Sequence, residues 1–212
     1  MSLKENILTL IKSPTSIIAL IGLLIIIGVL IKTRKIKLNS RIIAIIGVSL
    51  GLATVLKVFR IYHLPQGGSI TAGSMVPILL VAFFYGPEIG FLTGFLYGLI
   101  TLSLDPYILH PVQVLFDYPL PFIALGLAGY FQERKVLGSI VAIFGRFLCH
   151  FISGWVFFGS FAPEGMSPFI YSLTVNGLFI LVEGGVAIAI MSLLPVKNLK
   201  AILNRGNKNF AH

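Results

Sequence analysis

Seven apolar runs, at residues 16–31, 41–62, 72–86, 88–104, 111–131, 137–159 and 169–194, leave this chain few ways to fold. A helix needs about 20 predominantly apolar residues to cross the ~30 Å hydrocarbon core of a bilayer, and most of these runs approach that length. No water pairs with the backbone inside a bilayer, so each run must satisfy its own N–H and C=O groups as a helix. The runs at 72–86 and 88–104 are short, which thinning of the bilayer or snorkelling of flanking residues accommodates. Charged residues are 11% of the chain and mean hydropathy is +0.98. A soluble domain carries about 25% charged residues. The expected fold class is therefore an all-α integral membrane protein.

The net charge of +9 is distributed as a membrane topology requires, not as a nucleic-acid surface. Loops 32–41, 132–136 and 195–212 hold eleven of the 16 lysines and arginines. All three fall on one side if the six spans after the first alternate, and the positive-inside rule makes that side cytoplasmic. Lys57 and Arg60, near the other end of the second run, are the main exceptions. The first run has its charge behind it, in Lys32, Arg34, Lys35, Lys37 and Arg41, with no small-residue cleavage site. It reads as an uncleaved anchor with its amino end outside. The expected organisation is an extension with one extra transmembrane helix over 1–38, a six-helix transmembrane core over 39–196 and a basic cytoplasmic tail over 197–212. One cysteine, Cys149, excludes an internal disulfide and a cysteine metal cluster. No Gly-Lys dipeptide occurs, so the chain has no P-loop and no ATPase of its own.

Small residues mark two helix faces. Gly90, Gly94 and Gly98 form overlapping GxxxG steps, expected to bring helices of one bundle together. Ala44, Gly47 and Gly51 form a smaller stripe that suits either an internal contact or another subunit.

Residues 105–121 concentrate polar groups: two carboxylates, a histidine, a glutamine and two tyrosines, together with four prolines. Intramembrane polar clusters are functional candidates by default. On a helix from 111, Val114, Asp117, Tyr118 and Pro121 share a face. The next runs offer His150, Trp155 and Phe158, then Tyr171 and Asn176, with Glu183 two turns deeper. With Tyr107, these make an inventory of one anion, several π faces and neutral hydrogen-bonding groups at the outer end. Such a set suits a planar cationic heteroaromatic ligand, with about 0.5–2 kcal/mol from each desolvated cation–π contact. Blander readings stand beside it. A lone histidine often packs against a carbonyl, tyrosines at span ends are often interface anchors, and Arg146 with Glu183 forms a structural ion pair. Asp117 resists such explanation. Asp105 reads as a solvated loop residue. There is no HExxH, no Gly-x-Ser-x-Gly and no metal-ligand spacing, so neither a metal nor a catalytic group is expected. The alternative in another class is an intramembrane enzyme using Asp117 and His150 as an acid–base pair.

Nine ordered blocks carry a resemblance: Pro-Gln-Gly-Gly-Ser (65–69), Met-Val-Pro (75–77), Gly-Phe-Leu-Tyr-Gly-Leu (94–99), Tyr-Ile-Leu-His-Pro-Val-Gln (107–113), Asp-Tyr-Pro-Leu (117–120), Ala-Leu-Gly-Leu-Ala-Gly (124–129), Cys-His-Phe-Ile-Ser-Gly (149–154), Ala-Pro-Glu-Gly-Met-Ser-Pro (162–168) and Tyr-Ser-Leu-Thr-Val-Asn-Gly (171–177). Between about 41 and 194 the chain resembles the thiamine-specific S components of energy-coupling factor (ECF) transporters. The resemblance implies a six-helix S-component bundle with the extra N-terminal helix added, and an outward pocket for thiamine. It implies that Asp117 holds the aminopyrimidine, where many members have Glu. His150, Tyr171 and Asn176 match the other polar contacts. Tyr107 and Tyr118 match aromatic wall residues, and Phe158 stands where Trp often stacks on the thiazolium. Gln66-Gly67-Gly68 replaces an aromatic that some members carry in the first outer loop. Trp155, the only tryptophan, lies one turn from Phe158 and is expected to report on the pocket. The implied partners are a transmembrane coupling subunit, met through Ala44, Gly47 and Gly51, and two cytoplasmic ATPase subunits, which alone use ATP. Thiamine is captured outside and delivered by toppling, with no cofactor. For such docking the extra helix must pack away from the 44–51 stripe. A vitamin-binding relative for another cationic heteroaromatic ligand is the near alternative.

Overall fold

The structure, a computed structural model, describes residues 14–34, 36–63 and 68–208. Lys4, Lys12, Lys35, and Gln66 with Gly67, for which a role in the first outer loop was expected, lie outside the described residues. Helices α1 (Pro14–Thr33) and α2 (Ser40–Val58) are followed by a hairpin of β1 (Arg60–His63) and β2 (Ser69–Thr71). Then come α3 (Val76–Tyr85), α4 (Pro87–Leu104), α5 (Pro111–Asp117), α6 (Pro119–Ile123) and a 3₁₀ stretch (Ala124–Phe131). The chain continues through α7 (Lys135–Phe157), a 3₁₀ turn (Gly159–Phe161), α8 (Pro168–Leu193) and α9 (Val196–Lys208). Among the described residues, six stretches are long and apolar enough to cross a membrane, the 111–131 stretch counted as one. The expected all-α membrane bundle is borne out.

Three stretches depart from the sequence reading. Run 41–62 does not stay helical, because α2 ends at Val58 and Arg60–His63 pairs antiparallel with Ser69–Thr71. Run 72–86 yields only the ten residues of α3, about 15 Å of helix, half the thickness of a hydrocarbon core. Most of α3 is buried, with Ile78, Leu79, Val81, Ala82 and Phe83 at the centre of the molecule. Its apolar run therefore marks a core helix packed on α2, α4 and the 3₁₀ stretch rather than a lipid-facing span. Run 111–131 is broken into α5, α6 and the 3₁₀ stretch. Pro119 and Pro121 lack an N–H to donate, and their rings clash with the preceding turn, so the α-helix cannot run through.

The broken span is held by α4. A Cβ on Gly94 would stand 2.0 Å from the Phe122 carbonyl oxygen, and one on Gly98 2.7 Å from that of Tyr118. Only glycine lets the two backbones approach so closely, and the 90–98 zipper is thus an internal contact. At the end of the bundle away from the hairpin, Lys135 Nζ donates to the Ser192 and Leu194 carbonyls at 2.8 and 2.6 Å, closing the last turn of α8. The stretch 197–212, read as a basic tail, is helical through Lys208 and anchored there. Lys200 Nζ donates to Gln132 Oε1 at 2.5 Å. Lys197 lies 2.7 Å from Glu133 and holds that carboxyl below its usual range.

α1 packs against α4 and α5. It leaves the 44–51 stripe uncovered: Ala44, Gly47 and Gly51 are exposed, and a Cβ on either glycine would meet nothing within 4 Å.

Candidate functional site

At the hairpin end of the bundle, a cavity of about 90 Å3 opens between the broken span, α7, α8 and β2. That is several times the space one buried water needs. The kink places Asp117 and Tyr118 on its wall. His110 caps α5, its Nδ1 accepting from the Val112 N–H at 3.1 Å, while the Gln113 side chain reaches back to the Leu109 and His110 N–H groups. His110, Pro111 and Gln113 thus shape the turn, as the sequence suggested. Gln113 does more: its Nε2 donates to Asp117 Oδ2 at 2.5 Å.

Asp117 is the centre of a polar chain. His150 Nδ1 lies 3.3 Å from Asp117 Oδ1, and Arg146 Nε donates to His150 Nε2 at 3.4 Å. An imidazole accepting at Nε2 carries its proton on Nδ1, the nitrogen that faces the carboxylate. Arg146 Nη2 pairs with Glu183 Oε2 at 2.9 Å, and the Thr71 hydroxyl reaches Glu183 Oε1 at 3.1 Å. The structural ion pair expected from Arg146 and Glu183 is present. Both residues also line the cavity, packed beneath it with the guanidinium 4.8 Å from the Phe122 ring centre.

The aromatic wall is built from loops. Tyr118 Oη accepts from the Tyr107 N–H at 2.6 Å and donates to the Asp105 carbonyl at 3.0 Å, fixing the 105–110 loop over the kink. Tyr107 stacks on Phe158 with ring centres 5.9 Å apart. Across the cavity, α7 and α8 close on Gly154, where a Cβ would fall 2.4 Å from both Ser172 Oγ and Asn176 Nδ2. Ser172 donates to the Phe151 carbonyl and accepts from Asn176 at 3.1 Å, which holds the carboxamide at the wall.

Of the eight expected ligand residues, seven line this cavity: Asp117, His150, Tyr171, Asn176, Tyr107, Tyr118 and Phe158. Trp155 does not. It is 47% exposed and packs on Phe151 and Phe169, because the cavity face of α7 runs through His150, Gly154 and Phe158 and Trp155 lies about 100° around the helix from Gly154. Asp105 is also not a solvated loop residue. It lines the cavity mouth and takes Arg60 Nη1 at 2.9 Å, with Lys57 and His63 within 3.9 Å. The signal for it was visible: Lys57 and Arg60 are cations at the wrong end of α2 for topology, and so call for a nearby acid. The inventory of one anion is corrected accordingly. Of the three carboxylates that line the cavity, Asp105 is paired with Arg60 and Lys57 and Glu183 with Arg146, so that among the described residues Asp117, held by Gln113 and His150, is the one without a Lys or Arg partner.

A multi-pass membrane protein with an aromatic-walled cavity around a carboxylate at one end of its bundle is the class these features define. The chain belongs to the family described as Thiamine transporter protein (Thia_YuaJ), whose model matches residues 43–203. It is 41% identical over 133 residues to the thiamine transporter ThiT of Bacillus subtilis (strain 168), covering 55% of this chain and 69% of that one. It is 29% identical over 157 residues to the thiamine transporter ThiT of Lacticaseibacillus paracasei (strain ATCC 334), covering 65% and 78%. A solved structure of ThiT from Listeria monocytogenes shares the fold, with a TM-score of 0.67 at 24% identity over 76% of this chain and 96% of that one. The resemblance to thiamine S components is borne out, and the family is one of transporters, not of enzymes. The acid–base reading of Asp117 and His150 gives way to it.

Proposed function

We propose that this chain is the thiamine-binding S component of an ECF importer, and that Asp117, His150, Tyr171, Asn176, Tyr107, Tyr118 and Phe158 hold the vitamin. The Asp117 carboxylate, which lines the cavity without a Lys or Arg partner among the described residues, is the observation that carries the reading. Thiamine is a monocation, and its entry brings this carboxylate the full positive charge that its own neighbours do not supply. The aminopyrimidine edge is met by Asp117 and the Asn176 carboxamide, while the stacked Tyr107 and Phe158 rings offer π faces to the thiazolium. A phenyl face at Phe158 attracts a cation less than an indole does, yet still excludes water.

In this reading the hairpin end faces outside, the amino end of α1 is also outside, and α9 is cytoplasmic. The S component has no cofactor, and ATP is used only by two ATPase subunits. Docking on the coupling subunit goes through Ala44, Gly47 and Gly51; support comes from the open space over that stripe and from the packing of α1 on a different face. Toppling then carries thiamine across. Calorimetric titration of detergent-purified protein tests the binding step. Thiamine should bind saturably at one per chain without turnover; tighter binding of another cationic heteroaromatic vitamin would reassign the ligand.

A further inference from the structure

The match to the thiamine transporter family begins at residue 43, beyond α1, so a role for this helix has to come from its contacts. We propose that α1 braces the broken span, with Gly22 the positioning residue through which it fixes Asp117; the inference rests on the assignment of Asp117 to the thiamine site.

α5 has seven residues and α6 five, lengths at which a helix does not hold itself and takes its place from its neighbours. Apart from α6, α5 packs chiefly against two helices, α7 and α1. The α1 side is a compact apolar cluster in which Ile26 meets Phe91, Phe116, Leu120 and Ile123, with Ile18 and Val29 against it. Gly22 sits at the closest point: a Cβ there would lie 2.9 Å from Phe116 Cε2 and 3.2 Å from Leu120 Cδ1. The Phe116 ring is only 4% exposed, so it cannot swing aside. Farther along α1, Lys32 hydrogen-bonds Tyr130, lies 3.4 Å from Glu88 and sits over the Tyr130 ring. α1 is thus pinned at Gly22 and at Lys32, while much of the rest of its surface is exposed.

Phe116 precedes Asp117 in the chain. A push on its ring moves the carboxylate relative to Gln113 and His150, which hold it at 2.5 and 3.3 Å. α1 therefore acts on the site without touching the cavity. The same helix contains its own control, because a Cβ on Gly28 would meet nothing within 4 Å.

The experiment compares Gly22→Leu, Gly22→Ala, Gly28→Leu and the double variant Gly22→Leu with Phe116→Leu. Overpacking released by a helix shift should weaken thiamine binding about tenfold in Gly22→Leu, and less in Gly22→Ala. Gly28→Leu should bind within about twofold of the unaltered protein, and the double variant should recover most of the loss, the non-additivity expected of residues in contact. Amide exchange over 111–118, measured without thiamine, should quicken in Gly22→Leu and not in Gly28→Leu. Unchanged exchange there, or equal loss of affinity in both single variants, overturns the brace. If the unaltered protein does not bind thiamine, the function reading fails, and exchange at 111–118 still decides the brace.

Discussion

Two stripes of small residues look alike in the sequence and end in opposite places. Gly90, Gly94 and Gly98 close on the backbone of the broken span, so tightly that no side chain fits. Ala44, Gly47 and Gly51 face open space. The first stripe lets α4 hold a proline-broken segment whose own hydrogen bonds cannot, and so positions Asp117. The second contributes nothing inside the chain. A small-residue face is therefore only a permission for close approach; what approaches is decided by the shape of the neighbour.

The largest effect is expected from Gly94→Leu: a side chain aimed at a backbone oxygen leaves no soft neighbour to yield, and loss of at least about 3 kcal/mol of stability should show as aggregation in detergent. Folding at normal yield would mean that the α4 contact is looser than described. Asp117→Asn should separate site from scaffold. Thermal unfolding without ligand should change little, while thiamine affinity falls by about 2 kcal/mol, near thirtyfold, as removal of one partner of a buried charge pair does. Gly51→Leu should leave folding and binding within about twofold, since the added side chain enters open space, yet abolish uptake in cells that supply the coupling subunits. Retained uptake would remove the stripe from docking. The smallest effect belongs to Lys197→Ala. Glu133, held below the usual carboxylate range by Lys197, helps anchor α9 only above that range, and the contribution fades as pH falls through its lowered value. Both side chains are solvated, so thiamine binding should not change.

Much of this was legible in the chain. Apolar length marked the long spans, and a carboxylate that hydropathy cannot explain marked Asp117. Other features were not, for physical reasons. Hydropathy does not distinguish lipid from protein interior, so α3 read as a span although its apolar side chains bury one another. Prolines 119 and 121 stand in a run apolar enough to read as one continuous helix, and the break they impose is what turns Tyr118 toward the 105–110 loop. Helical spacing put Trp155 beside Phe158, but the cavity face of α7 runs through His150, Gly154 and Phe158, and Trp155 falls to one side of it. Asp105 looked solvated because its partners, Lys57, Arg60 and His63, come from the end of α2 and a hairpin that apolar patterning does not register.

Asp117, set by the broken span, is the residue to which the proposed hold on thiamine is assigned. Paired calorimetric titrations of the unaltered protein and Asp117→Asn with thiamine test it most directly. Saturable binding at one per chain, weakened about thirtyfold by the substitution, is the expected result. Equal affinity in the two proteins, or no heat with either, would contradict it.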